Sequence, residues 1–148
     1  MRASAGRRLA LIAESFARLA GHSLVTTGGD DLERALWEAP RVIVAHGTEP
    51  RPLFFYGNSA ALDLFAMTAD GFIGLPSERS AEPSARKSRA LMLEQLARTG
   101  IVEGYSGVRV AASGRRFAIF GATVWDLLDA AGKRHGQAAT FAEWQFLD

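Results

Sequence analysis

The chain has 148 residues, 48% of them hydrophobic and 22% charged, with a net charge of +1. That length fits one domain with a sizeable core, and the charge gives no electrostatic case for nucleic acid or a membrane surface as partner. The sequence holds no cysteine, which excludes disulfides, thiolate metal sites, a cysteine nucleophile and a flavin–cysteine photoadduct. At the start of the chain, Arg2, Arg7 and Arg8 precede an apolar segment in the manner of a signal peptide. Glu14 and Arg18 interrupt that segment, and no small-residue cleavage site follows. No apolar run approaches the length of a membrane span. The expectation is a soluble, cytoplasmic protein.

Residues 4–22 carry the first helical pattern. Leu9, Ile12, Phe16 and Leu19 recur at helical spacing, with Arg7, Arg8, Glu14 and Arg18 on the other side, and Gly21 ends the run. A short helix follows, with Asp30 or Asp31 as its cap and Leu32, Leu36 and Trp37 on one side. Pro40 closes it. From Arg41 the period changes. The run Val42-Ile43-Val44-Ala45 is rich in β-branched residues and reads as a strand. His46-Gly47-Thr48-Glu49-Pro50 has turn composition. Leu53-Phe54-Phe55-Tyr56 is the second strand of a hairpin.

Gly57 and Asn58 mark the corner where this strand becomes a helix. Gly57 is free to take backbone angles closed to other residues, and the Asn58 side chain is a favoured N-cap. One glycine with one asparagine falls short of a phosphate cradle. Ala61, Leu62, Leu64 and Phe65 supply the apolar faces of the helix. Residues 68–82 are turn-rich, and Pro83 suits the first turn of a helix running to about Arg98. Gly100 stands where a C-terminal glycine belongs. The last third reads as three long strands: 101–112, 115–126 extending toward Leu128, and 136–146. Ser113-Gly114 and Ala131-Gly132 are the turns between them. Strands adjacent in sequence usually pair. The order therefore gives an α+β domain, with an antiparallel sheet of about five strands and helices packed on one face.

Two strands, a helical crossover and three strands is the order of a PAS domain. The motifs are closer to one group. His46-Gly47-Thr48-Glu49-Pro50, Tyr56-Gly57-Asn58-Ser59-Ala60-Ala61-Leu62 and Pro76-Ser77-Glu78-Arg79-Ser80-Ala81-Glu82-Pro83 come first, followed by Arg86 and Arg89. Gly104-Tyr105-Ser106-Gly107-Val108-Arg109, Ser113-Gly114-Arg115-Arg116-Phe117, Val124-Trp125, Gly136-Gln137-Ala138-Ala139-Thr140-Phe141 and Trp144 complete the set. In this order the chain resembles the MEKHLA family, a PAS-like domain found alone in bacterial proteins and at the C-terminus of plant class III homeodomain–leucine zipper proteins. The hexapeptide that names the family is absent as an unbroken string. The resemblance implies a PAS-like domain over residues 41–148 with an N-terminal helical extension over residues 1–40. It also implies a role in sensing small molecules or in protein association. It brings no agreed ligand or chemistry.

Candidate ligand contacts follow from the predicted faces. Arg89 falls in the middle of a helix face shared by Ala85, Met92, Leu93 and Leu96. A guanidinium facing a sheet must be paired. It forks a ligand's carboxylate or phosphate, forms an internal ion pair such as one with Glu82, or snorkels out along its stem near the helix start. Ser80 reads as a cap for the same helix, and Glu82 complements the helix dipole. Alternation places Phe117 and Trp125 on one strand face, with Gly121 and Thr123 leaving room between them. Tyr105, Gly107 and Arg109 share a face of the neighbouring strand, where Arg109 reads as a solvated outer residue. Tyr56, Asn58, Gln137 and Thr140 add polar groups suited either to a ligand or to buried backbone. The candidate ligand-binding set is Tyr56, Asn58, Arg89, Phe117, Thr123, Trp125 and Gln137.

No catalytic or metal site stands out. His22, His46 and His135 give no metal spacing. No histidine lies on the long helix where haem-binding PAS domains often place their ligand, which argues against haem. Two functions compete, beside a protein-interaction domain with no ligand at all. One is a binding module holding a small molecule between sheet and helices, with the Leu9, Ile12, Phe16 and Leu19 stripe lying outside the core and pairing two copies or a partner protein. The other is a small isomerase- or hydratase-like enzyme using His46, Glu82 or Asp126 as base in an apolar pocket. The basic cluster Arg86, Lys87 and Arg89 is too short to indicate nucleic acid.

Overall fold

The computed structural model describes residues 2–25, 31–80 and 86–147; the side chains of residues 2–7, 78 and 86–89 fall outside that description. The elements in chain order are α1 (Arg2–Ala20), α2 (Leu32–Glu38), β1 (Val42–His46), β2 (Phe54–Gly57), α3 (Ser59–Phe65) and α4 (Ala69–Phe72). A 3-10 turn (Ser77–Ser80), α5 (Arg86–Thr99), β3 (Ile101–Val110), β4 (Arg116–Leu128), β5 (Arg134–Phe141) and β6 (Glu143–Leu147) follow. The sheet is antiparallel in the order β2-β1-β5-β4-β3, and β6 pairs with β4. The stretch expected as one strand over residues 136–146 is divided in two by a bend at Ala142. The second half of β4 pairs with β5 and the first half with β6, so the sheet has six strands.

Helices cover both faces, not one. Every residue of β1 is buried. Val42 and Val44 face one core, together with α3, α4 and α5. Ile43 and Ala45 face a second core, together with α1 and α2. A strand buried on both faces has no polar side to show, which is why its sequence is a continuous apolar run. The stripe on α1 is accordingly inside the molecule. Leu9, Ile12 and Phe16 are buried against Leu36, Trp125 and Leu127. Burial of such side chains stabilises by about 1.5–3 kcal/mol each. Polar bonds fix the same contact. The Trp125 indole Nε1 donates to Ile12 O at 3.2 Å. Ser15 Oγ accepts from Leu128 N at 2.8 Å and donates to Leu128 O at 3.1 Å. The expectation that this stripe lies outside the core, free to pair two copies, is therefore corrected: the sheet already covers it.

Two bulges set which side chains share a face. Ile119 pairs with Gly107, Ala122 with Tyr105 and Val124 with Val102. One residue is thus extra on β4 before Ala122, and one on β3 before Tyr105. Gly121 (φ 62°) and Gly104 (φ 73°) sit at these steps, in the left-handed region that glycine takes without steric cost. The bulge on β4 reverses its alternation. Phe117, Ile119, Ala122 and Val124 face the front core, and Trp125 and Leu127 the back. Phe117 and Trp125 are therefore on opposite faces, which corrects the shared face expected from simple alternation. Thr123, half-buried, has the parity of Trp125.

Candidate functional site

The corner at Gly57 and Asn58 is structural throughout. Asn58 is fully buried. Its Oδ1 accepts from Ile43 N at 3.0 Å and from Ala61 N at 3.1 Å, capping α3. Its Nδ2 donates to Leu36 O at 3.0 Å and to Arg41 O at 2.8 Å. A carboxamide offers two donors and one oxygen with two lone pairs, so every position is used in tying α2, β1 and α3 together. Gly57 is needed for a different reason from the one its turn-like context implies. A Cβ there would meet the Phe72 ring at 2.7 Å; the constraint is close approach, not backbone angle. Thr68, which the sequence reading placed in a turn, caps α4 by accepting from Gly71 N at 3.2 Å.

Between the front of the sheet and the helices lies a cavity with about 60 Å³ open to water-sized atoms. Its apolar wall includes Val44, Phe54, Phe65, Met92, Ile119 and Val124. Its polar groups are His46, Ser77, Ser80, Tyr105, Arg109 and Gln137. Ser77 Oγ and the Tyr105 hydroxyl are buried with no hydrogen-bond partner among the described residues. Such orphans are uncommon, because an unmet buried polar group costs roughly 1–3 kcal/mol. Ser80 Oγ donates to Ser77 O at 2.7 Å and so closes the 3-10 turn. His46 Nδ1 donates to Gly47 O at 3.1 Å. In the same loop Glu49 accepts from Leu53 N at 3.1 Å. That bond first, then one from its own backbone N–H, holds its carboxyl below the ordinary range.

Of the residues singled out from the sequence, Gln137 lines the cavity, on β5 opposite His46. Phe117 is in the front core between Phe65 and Phe146. Tyr56 and Trp125 belong to the back core, and Thr140 Oγ1 donates to Val42 O at 2.9 Å. The Arg89 side chain, Glu82 and the start of the helix expected from Pro83 lie outside the described residues. Of the three candidate bases, His46 borders the cavity, whereas Asp126 is bonded to Arg134 at 2.9 Å. Among the described residues no group of three or more His, Asp or Glu is placed to hold a metal ion. No helix among them is long and apolar enough to cross a membrane.

The residues that sequence reasoning missed at this site are Ser77, Tyr105 and Arg109. The signal was present: Tyr105, Gly107 and Arg109 alternate on one face. Their partners on β4 are Ala122, Ile119 and Phe117, which face the front core, so Arg109 is half-buried instead of solvated. Its guanidinium lies 5.7 Å from the centre of the Tyr105 ring and donates to Val108 O at 3.1 Å.

This architecture is PAS-like. The PAS domain of a protein from Colwellia psychrerythraea superposes with a TM-score of 0.64 at 12% identity, covering 77% of this chain and 92% of that one. The light-state dimer of the fungal blue-light photoreceptor Vivid gives 0.59 at 14% identity, covering 81% and 84%. Within that class the chain belongs to the MEKHLA domain family, whose profile matches residues 7–146. Among its curated relatives, the homeobox-leucine zipper protein REVOLUTA of Arabidopsis thaliana is 26% identical over 144 residues, 92% of this chain. The chain spans only 17% of the length of that relative.

Proposed function

We propose that this chain is a sensory module that holds a small molecule between the front of its sheet and α3–α5, and passes the change in occupancy to a partner protein or a second copy. The observation that carries this reading is the cavity itself, with two buried hydroxyls lacking partners on an otherwise largely apolar wall. Such a site suits a ligand that brings the missing acceptors or donors. The sheet supplies a route outward. Val124 lines the cavity, and the next residue, Trp125, is bonded to α1 on the other side. In this reading residues 41–148 sense and residues 1–40 report. The module is a cytoplasmic binding protein, not an enzyme. Pairing with a second copy, if it is the output, uses a surface other than the covered face of α1.

Native mass spectrometry of gently purified protein tests the reading. A discrete extra mass relative to the denatured chain is expected, and it should be lost in Ala139→Leu, which puts a larger side chain into the cavity from the β5 wall. An extra mass that survives in Ala139→Leu places the ligand elsewhere and overturns the proposal.

A further inference from the structure

We propose that the cavity is a site for a short-chain monocarboxylate, with the ligand's carboxylate held by the Arg109 guanidinium and the hydroxyls of Tyr105 and Ser77. This rests on the sensory reading above and adds the chemical class of the ligand.

Three observations carry it. The first is charge. Among the described residues that line the cavity none is a carboxylate, and Arg109 alone carries a permanent charge. A guanidinium has five N–H donors. Its bond to Val108 O engages one end; among the described residues the other donors have no acceptor, and they suit a planar, two-oxygen group, which is the geometry a carboxylate offers. The second is the pair of orphan hydroxyls, Ser77 5% and Tyr105 8% exposed. Among the described residues both are donors without an acceptor, on the wall that Arg109 also joins. Gly107 lies beneath two of these groups. A Cβ there would come within 3.1 Å of the Tyr105 hydroxyl and 3.3 Å of Arg109 Nη1. The bare glycine therefore lets both donors close in over the strand, near enough to each other for one carboxylate to reach both.

The third observation is size. The cavity gives about 60 Å³ to the centres of water-sized atoms, a small site that suits a compact ligand on the scale of propionate. The rest of the wall holds Val44, Phe65, Met92 and Ile119, apolar surface suited to a short alkyl tail, beside the uncharged polar groups of Ser80 and Gln137 and the imidazole of His46.

The test is calorimetric titration of the full chain with sodium propionate and with propionamide. The two probes match in size and differ in charge. Methyl spectra of Ile119, Val124 and Met92 report where each binds. Propionate should bind about tenfold or more tighter than propionamide, as a bidentate charged pair requires, and should shift the front methyls. Arg109→Gln should abolish that preference. Gly107→Ala, which leaves the charge in place but displaces the Tyr105 hydroxyl and Arg109 Nη1 by a few tenths of an ångström, should weaken propionate while melting near the wild-type temperature. Equal binding of both probes at the front methyls would overturn the carboxylate assignment and leave the sensory reading standing. Shifts from neither probe would overturn the assignment and count against the cavity as a ligand site. Retention of the preference in a folded Arg109→Gln protein would also overturn it.

Discussion

Asn58→Ala should be among the most damaging single substitutions in the chain, although it removes only a small polar group. The side chain is fully buried and makes four hydrogen bonds, two as acceptor and two as donor. Alanine strands the N–H groups of Ile43 and Ala61 and takes one donor from each of the Leu36 and Arg41 carbonyls. A buried N–H without an acceptor costs about 1–3 kcal/mol; carbonyls tolerate under-satisfaction better. Loss of the cap alone costs about 1 kcal/mol in other helices. The total expected here is about 3–5 kcal/mol, a large share of the roughly 5–15 kcal/mol by which domains are stable. With a urea slope near 2 kcal/mol per molar, the unfolding midpoint should fall by about 2 M. Asn58→Ser keeps an acceptor for the α3 cap but not the two bonds to Leu36 and Arg41, and should lie between wild type and alanine. A loss below about 1 kcal/mol for Asn58→Ala would refute the reasoning, because it would mean that the four bonds do not join α2, β1 and α3.

Other expectations follow from the same geometry. Gly136→Ala would place a Cβ 2.2 Å from His46 O, between β1 and β5; the strands must part, at about 2 kcal/mol or more, read as a lower melting temperature. Phe16→Asp puts a carboxylate beside Trp125, whose ring centroid is 4.8 Å from that of Phe16. It should cost about 3–5 kcal/mol and red-shift tryptophan emission without changing the sedimenting mass of the folded protein; a halved mass would restore α1 as a pairing surface. Backbone bonds hold Glu49 below its ordinary 4.5, and the His135 bond, followed by backbone bonds, holds Asp129 below its ordinary 3.8. Both depressed groups bind fewer protons folded than unfolded, so their stabilisation is complete above those ordinary values and is lost as pH falls through the folded ones. The melting-temperature gap between wild type and Glu49→Gln should therefore narrow between pH 6 and pH 3, and a constant gap would contradict the assignment.

Much of the fold was legible in the sequence, and the limits of that reading are physical. The element order and the Asn58 cap follow from local chemistry: β-branched runs, an N-cap residue and glycine at turns. Which face each strand presents does not, because a bulge shifts alternation by one residue without changing composition. Gly104 and Gly121 are the trace of those shifts, since glycine inside a strand marks irregular pairing. Read without them, Phe117 and Trp125 share a face; Arg109 reads as solvated from its charge alone, and no alternation tells which way its face looks. The position of α1 had its own signal. Val42-Ile43-Val44-Ala45 lacks the polar alternation of a strand covered on one side, and that run implied helices on both. Gln137 stands out in the sequence only as an uncharged hydrogen-bonding group, and the simple register of β5 with β1 up to His46 sets it on the cavity wall.

The account rests on the front cavity as the place where a small molecule binds. The most direct measurement is methyl NMR of the full chain titrated with a set of small acids, amides and alcohols. The account predicts saturable shifts at Ile119, Val124 and Met92 for at least one probe, larger than any at Leu36 and Leu127 in the back core. Front methyls that stay fixed while back-core methyls move would contradict it, and would place any ligand of this domain on the other side of the sheet.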